Sequence, residues 1–92
     1  MNDAAAEIVL DVSGLEPCEP LDRSLEAARA LTPGRYLRIL HRREPLPLFP
    51  LLEQLGCRWH CRTGTTAAFE IFVWRRGDAA AEALAVARFA AH

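Results

Sequence analysis

Cys18 stands in the segment Glu16-Pro17-Cys18-Glu19-Pro20, directly before a stretch with helical periodicity. A thiol at the start of a helix meets unpaired backbone N–H groups and the positive end of the helix dipole, and both favour the thiolate. Glu16 and Glu19 act in the opposite direction, because neighbouring negative charge disfavours a thiolate. Cys18 is therefore the candidate nucleophile of this chain, and a small turn residue without chemistry is the alternative.

Cys57, His60 and Cys61 are close enough in sequence to suggest a metal site. In an extended strand, a rise of about 3.3 Å per residue separates Cys57 from Cys61 by about 13 Å and directs His60 to the opposite face. That separation is too large for one shared ion or for a disulfide, which needs Cα atoms within about 7 Å. We predict no metal and no cofactor, and we expect Cys57 and Cys61 to be inward-facing free thiols.

A basic rim is conceivable if His41, Arg42 and Arg43 meet Arg75 and Arg76. Such a rim would suit phosphate or nucleic acid, but an isoelectric point near 6.3 lacks the basic excess typical of nucleic-acid binders. The chain also has no Ser-His-Asp set, Gly-rich phosphate loop or paired-carboxylate motif. We expect neither nucleic-acid binding nor an independent catalytic centre.

Hydrophobic periodicity predicts the elements that position these residues. Alternation with a period of two indicates four strands, at residues 7–12, 36–41, 57–62 and 67–75. Spacings of three and four from Leu21 to Leu31 indicate a first helix. A short apolar helix follows Pro47 and ends at Gly56, with Pro50 in its first turn, where proline is tolerated.

The order strand, helix, strand, helix, strand, strand predicts an α+β fold. We expect a two-layer α/β sandwich in which a four-stranded mixed sheet carries both helices on one face. Residues 1–77 would form this domain, and residues 78–92 an Ala-rich helical extension. A chain of 92 residues that is 51% hydrophobic can bury one core without disulfides. The odd cysteine count and the absence of a long apolar run predict a cytoplasmic protein outside the membrane.

The second face of the sheet would then be open. Alternation places Tyr36, Arg38, Phe72 and Trp74 on that face, and aromatic residues beside an arginine are typical of contact surfaces. We predict a protein contact there, self-association included. The alternative is that the Ala-rich extension folds back and covers these residues.

Several short motifs resemble those of the TusA/SirA/YedF group of small sulfur-carrier proteins. The matching features are Gly14-Leu15 after a strand ending in Asp11, the Pro- and Cys-containing turn at 16–20, Pro33-Gly34 before the second strand, and the sequence closing the second helix at 51–56. The resemblance covers roughly residues 8–76, and it implies the βαβαββ order already predicted from periodicity.

The resemblance implies a function for the turn. In that group the turn reads Cys-Pro-x-Pro and its thiol carries a persulfide, whereas here Pro17 precedes Cys18. This order is more similar to an uncharacterised sister branch of the group. The implied role is a non-enzymatic carrier that uses Cys18 and meets sulfur donors and acceptors through Glu16, Pro17, Glu19 and Pro20. The alternative is a regulatory or structural interaction module without thiol chemistry.

Overall fold

The computed structural model describes residues 6–14, 19–64 and 66–90. Its elements in chain order are β1 (Glu7–Asp11), α1 (Glu19–Arg29), β2 (Tyr36–His41), α2 (Leu48–Gln54), β3 (Cys57–Thr63), β4 (Phe69–Arg75) and α3 (Ala79–Ala90). The predicted succession of strands and helices is confirmed, and the Ala-rich stretch forms a third helix. Among these residues, no helix combines the length and apolar character that crossing a bilayer requires.

The strands form one mixed sheet in the order β1-β2-β4-β3. β1 and β2 run parallel, with Ile8 beside Leu37, because α1 returns the chain to the same end of the sheet between them. β4 is antiparallel to both of its neighbours and places Ile71 between Ile39 and Cys61. The two edges are therefore β1 and β3.

α1 and α2 cover one face of the sheet and enclose the larger core. The stripe predicted for α1 is buried there, with Ala28 at 0% and Leu31 at 5% exposure, against the inward side chains of β2 and β4. α2 begins behind Pro47, so Pro50 lies in the first turn and displaces no intrahelical hydrogen bond. The chain leaves α2 at Gly56 with φ +77°, a conformation that favours glycine.

α3 packs on the opposite face, across β4 and β2. Ala81 and Ala85 point into the sheet and are fully buried, because side chains this small let the helix axis approach the strands closely. The mixed sheet with two helices on one face is confirmed, but its second face carries α3 and is not open.

Candidate functional site

A cleft of about 210 Å³ lies between the first turns of α1 and the connection from β2 to α2. We call it the α1 cleft; its lining residues are Pro20, Leu21, Ser24, His41, Arg43, Glu44, Pro45, Pro47 and Leu48. Both walls follow the carboxyl ends of the two parallel strands, which is where open α/β sheets bind their ligands. Topology therefore marks this end of the molecule as the candidate site.

Five of the lining residues are apolar, and the four polar ones are Ser24, His41, Arg43 and Glu44. Ser24 is fully buried, and its hydroxyl has no hydrogen-bond partner among the described residues. His41 accepts the backbone N–H of Arg43 on Nδ1 at 3.1 Å, so the neutral ring carries its proton on Nε2. Burial, followed by the charges of Arg42 and Arg43, lowers the pKa of His41 below its ordinary value. The ring is therefore neutral at pH 7 and donates through Nε2.

The rim of the α1 cleft exposes an apolar side chain. Leu46 lies between Pro45 and Pro47, which restrict the backbone on either side of it. Its side chain is 61% exposed. A large aliphatic residue presented on a stiff loop beside a cleft is a feature of contact surfaces. Leu46 was not predicted as a contact residue, although its position between two prolines could have indicated an exposed side chain on a stiff loop.

The residues predicted to act at the start of the first helix have different outcomes. Glu16, Pro17 and Cys18 lie outside the described residues. Glu19 is the first residue of α1, and Pro20 is buried and lines the α1 cleft. Cys18 precedes Pro20 by two positions in the sequence.

The predicted contact surface on the sheet is wrong in one respect, since its four residues are buried beneath α3. Tyr36 is 4%, Arg38 8%, Phe72 0% and Trp74 5% exposed. Phe89 of α3 packs on Phe72, with ring centroids 5.5 Å apart, and on Trp74 at 6.3 Å. The extension folds back over these residues, which is the alternative considered from the sequence. We call this region, together with Glu70 and Arg62, the covered face.

An ionic network occupies the covered face. Glu70 is fully buried. Its Oε2 accepts from Nη2 of Arg38, and its Oε1 contacts Nε and Nη2 of Arg62 at 2.9 and 2.8 Å. Burial of Glu70 acts to raise its pKa, but hydrogen bonds and charges from both arginines outweigh it and leave the pKa below the ordinary value. Glu70 is therefore ionised at neutral pH although no part of it reaches water.

Glu7 extends this network to the edge strand β1. It accepts the hydroxyl of Tyr36 at 2.7 Å and pairs with Arg88 of α3 at 3.3 Å and with Arg38 at 3.8 Å. Burial, and then the bond to Glu7, raise the pKa of Tyr36 far above its ordinary value. These contacts join the first strand, the centre of the sheet and α3 into one charged unit.

Two side chains fasten α3 at its ends. Asp78 accepts the N–H of Ala81 at 3.1 Å as an N-cap and the N–H of Gly34 at 2.8 Å, and these two backbone hydrogen bonds lower its pKa. At the other end, Arg62 donates to the carbonyl of Phe89 at 2.7 Å. The N-cap bond of Asp78 is local, whereas its bond to Gly34 depends on tertiary structure. The cover is thus a specific, doubly anchored contact.

Cys57 and Cys61 face the larger core, as predicted, and both are free thiols. Burial raises the pKa of each thiol, so neither is an activated nucleophile. Within the parts of the chain that the structure describes, no three His, Cys, Asp or Glu side chains are grouped as ion ligands.

The prediction that five basic side chains could form one rim is wrong, because β2 and β4 run antiparallel. His41 pairs with Phe69 at the start of β4, so Arg75 and Arg76 lie at the opposite end of the sheet. Arg75 instead donates to the carbonyls of Arg29 and Leu31 at the end of α1, at 2.7 and 3.2 Å. Arg76 borders a wide depression of about 260 Å³ at the start of β3.

The fold and the α1 cleft define a small α+β domain with one candidate binding end and one closed sheet face. The chain belongs to the family described as uncharacterized conserved protein (DUF2249), whose model matches residues 9–75. That match spans α1, the α1 cleft and the sheet, and it ends before α3. Comparisons with curated proteins and with solved structures gave no match. The family agrees with the predicted uncharacterised branch; its relationship to the sulfur carriers stays a prediction.

Proposed function

We propose that this domain is a non-enzymatic binding module that receives a partner protein in the α1 cleft. The observation that carries the proposal is the cleft itself, at the carboxyl ends of β1 and β2 and within two residues of Cys18. Leu46 on its rim supports a protein partner, because an exposed leucine gains free energy when a second surface covers it.

The covered face is a weaker candidate for this contact. Its aromatic residues are already packed against α3, and Glu70 and Arg38 would lose their dry surroundings if α3 left. A partner at the α1 cleft requires no such rearrangement. Of the contact residues predicted from the sequence, we therefore keep those around Pro20 in the proposal and leave out those on the covered face.

The test of this proposal uses two exposed apolar residues. Leu46→Glu should abolish partner capture, whereas Val86→Glu, which places the same charge on the outer side of α3, should leave it intact. Tagged full-length chains would be crosslinked in the source cells, and the captured proteins would be compared by mass spectrometry. Identical partner sets for both variants and the parent would contradict the proposal.

The sharper form of the proposal is a persulfide carrier. The thiolate of Cys18 would attack a sulfane sulfur of the donor, the donor S–S bond would break, and the donor would leave as a thiolate. The persulfide would then pass its terminal sulfur to an acceptor nucleophile by the same exchange. The support for this form is the sequence resemblance and the sequence position of Cys18, two residues before Pro20 of the cleft lining.

The persulfide form is tested with inorganic polysulfide as donor and cyanide as acceptor. Peptide mapping should find one added sulfur on Cys18, and cyanide should remove it as thiocyanate. Cys18→Ser should eliminate both signals, whereas Cys61→Ser should retain them, because Cys61 is a half-buried thiol with a raised pKa. Equal labelling of the Cys18→Ser variant would leave only the binding module.

A further inference from the structure

The α1 cleft has the size of one amino-acid residue. Its volume of about 210 Å³ lies below the roughly 300–1,000 Å³ of pockets that hold drug-sized ligands. Pro20, Leu21 and Leu48 supply apolar walls, so the part of a ligand that enters between them must be aliphatic. A short apolar side chain fits this description.

The polar groups of the cleft are nearly all donors. The Ser24 hydroxyl is buried without a partner among the described residues, and a buried hydroxyl without a partner is costly unless a ligand completes it. His41 presents Nε2–H, since Nδ1 is engaged by the backbone of Arg43. The guanidinium of Arg43 has no ion-pair partner in the described part of the chain. The missing counterpart is an acceptor, and Arg43 selects a negatively charged one.

Two further features determine how favourable the α1 cleft is for an anion. The first two turns of α1, an 11-residue helix, form one wall of the cleft, so the partial positive charge of the helix N-terminus lies near it. Glu44 on the rim opposes an anion, but it is exposed and its charge is screened by water. An anion deep in the cleft therefore meets donors, and Glu44 weakens its binding only partly.

We propose that the α1 cleft captures the C-terminal residue of the partner chain. The aliphatic side chain of that residue packs between Pro20, Leu21 and Leu48, and its terminal carboxylate accepts from Arg43, His41 and Ser24. This inference rests on the proposed function and names the partner's chemistry. Recognition of a free chain end by convergent donors is a known mode of peptide binding.

The test titrates isotopically labelled full-length protein with N-acetyl-leucine and N-acetyl-leucinamide, followed by amide chemical shifts. The acid should bind at least tenfold more tightly than the amide, because charge-assisted hydrogen bonds need the carboxylate. Arg43→Ala should remove this preference, whereas Arg42→Ala, next in sequence but outside the cleft lining, should keep it. Glu44→Gln should tighten the acid about twofold or more and leave the amide unchanged.

Three outcomes would overturn the inference. If acid and amide bind equally, the carboxylate is not recognised, although the cleft still binds apolar residues. If 4-methylpentanoate binds as tightly as N-acetyl-leucine, the ligand is a free small acid and not a chain end. If neither leucine derivative binds while Leu46→Glu still abolishes partner capture, the binding module stands and chain-end capture fails. Arg42→Ala and Arg43→Ala alter exposed side chains, so both variants should fold.

Discussion

The covered face and the α1 cleft both bury polar groups, but only the covered face is closed over by a helix. Beneath α3, Glu70 is surrounded by two arginines and both of its oxygens are engaged. In the α1 cleft, Ser24 is equally buried but its hydroxyl has no partner among the described residues. The Glu70 carboxylate is fully matched within the chain, although Nε of Arg38 and Nε1 of Trp74 are buried in the covered face without a partner among the described residues. The difference lies in access: those two groups lie beneath α3, whereas Ser24 belongs to the lining of a cleft. A face closed by a helix serves the fold, and an unmatched hydroxyl in a cleft is suited to a ligand.

Removing Glu70 should have the largest effect. Glu70→Ala leaves Arg38 buried with only the more distant Glu7, 3.8 Å away, as a counter-charge and should lower the free energy of unfolding by about 3–5 kcal/mol. Chemical denaturation with far-UV circular dichroism measures this loss. Glu53→Ala, an exposed carboxylate on α2, should change stability by no more than about 0.5 kcal/mol. Equal effects of the two substitutions would mean that Glu70 is not in a dry network.

A smaller loss is expected from the turn that approaches Glu70. A Cβ on Gly64 would lie 2.5 Å from Cγ of Glu70 and 2.8 Å from the carbonyl oxygen of Ala67, so Gly64→Ala should cost about 1–3 kcal/mol. Gly14→Ala is the matched control, since no atom of the described residues lies within 4 Å of a Cβ added there. The midpoints of thermal unfolding should separate the two variants. A neutral Gly64→Ala would show that Glu70 has room to move.

Acid should weaken the covered face more gently than substitution, because a protonated Glu70 still fills its space. Its folded pKa is lowered, so its contribution is fully present above the unfolded pKa, near the ordinary 4.5, and is lost as the pH falls through the folded pKa. The parent protein should therefore lose stability below pH 4.5 more steeply than Glu70→Gln. Parallel curves of melting temperature against pH would contradict this assignment.

The α1 cleft should give the smallest effect, with the opposite sign. Ser24→Ala removes a buried hydroxyl without a partner and improves helix propensity, so stability should rise by up to ~1 kcal/mol. Ser13→Ala should instead lose stability, because its hydroxyl donates to Asp11 at 2.6 Å. Denaturant midpoints give both signs. A loss at Ser24 would show that its hydroxyl is already satisfied, and the contrast between the two regions would disappear.

Periodicity predicted the elements of this fold because apolar residues in strands and helices must meet one core. It also placed Cys57 and Cys61 inward and tolerated Pro50 in the first turn of α2. The cover by α3 was considered only as the alternative to an open face, since alanine gives a helix little amphipathic character. The near-continuous apolar run Ile71-Phe72-Val73-Trp74 was the available signal, because strands covered on both faces lose their alternation.

The network and the cleft depend on information that sequence spacing lacks. Arg62 meets Glu70 only because β3 and β4 pair in this register, and Arg38 reaches Glu70 from the neighbouring strand. The cleft forms where α1 and the β2–α2 connection approach each other, which periodicity does not determine. His41 and Arg43 were predicted to belong to a basic rim, but the antiparallel pairing of β2 and β4 separates them from Arg75. The packing of α1 instead places Ser24 in the same cleft lining as these two residues.

The two hydrogen bonds from Arg75 fix the C-terminal end of α1 to the sheet. Arg29 and Leu31 are held to β4, whereas the first turn of α1 forms one wall of the cleft. Among the described residues, the other end of α1 is held by apolar packing alone, since Leu21 packs against the core. An occupant of the cleft would add contacts at this end, and its binding should raise the amide order parameters most near Leu21.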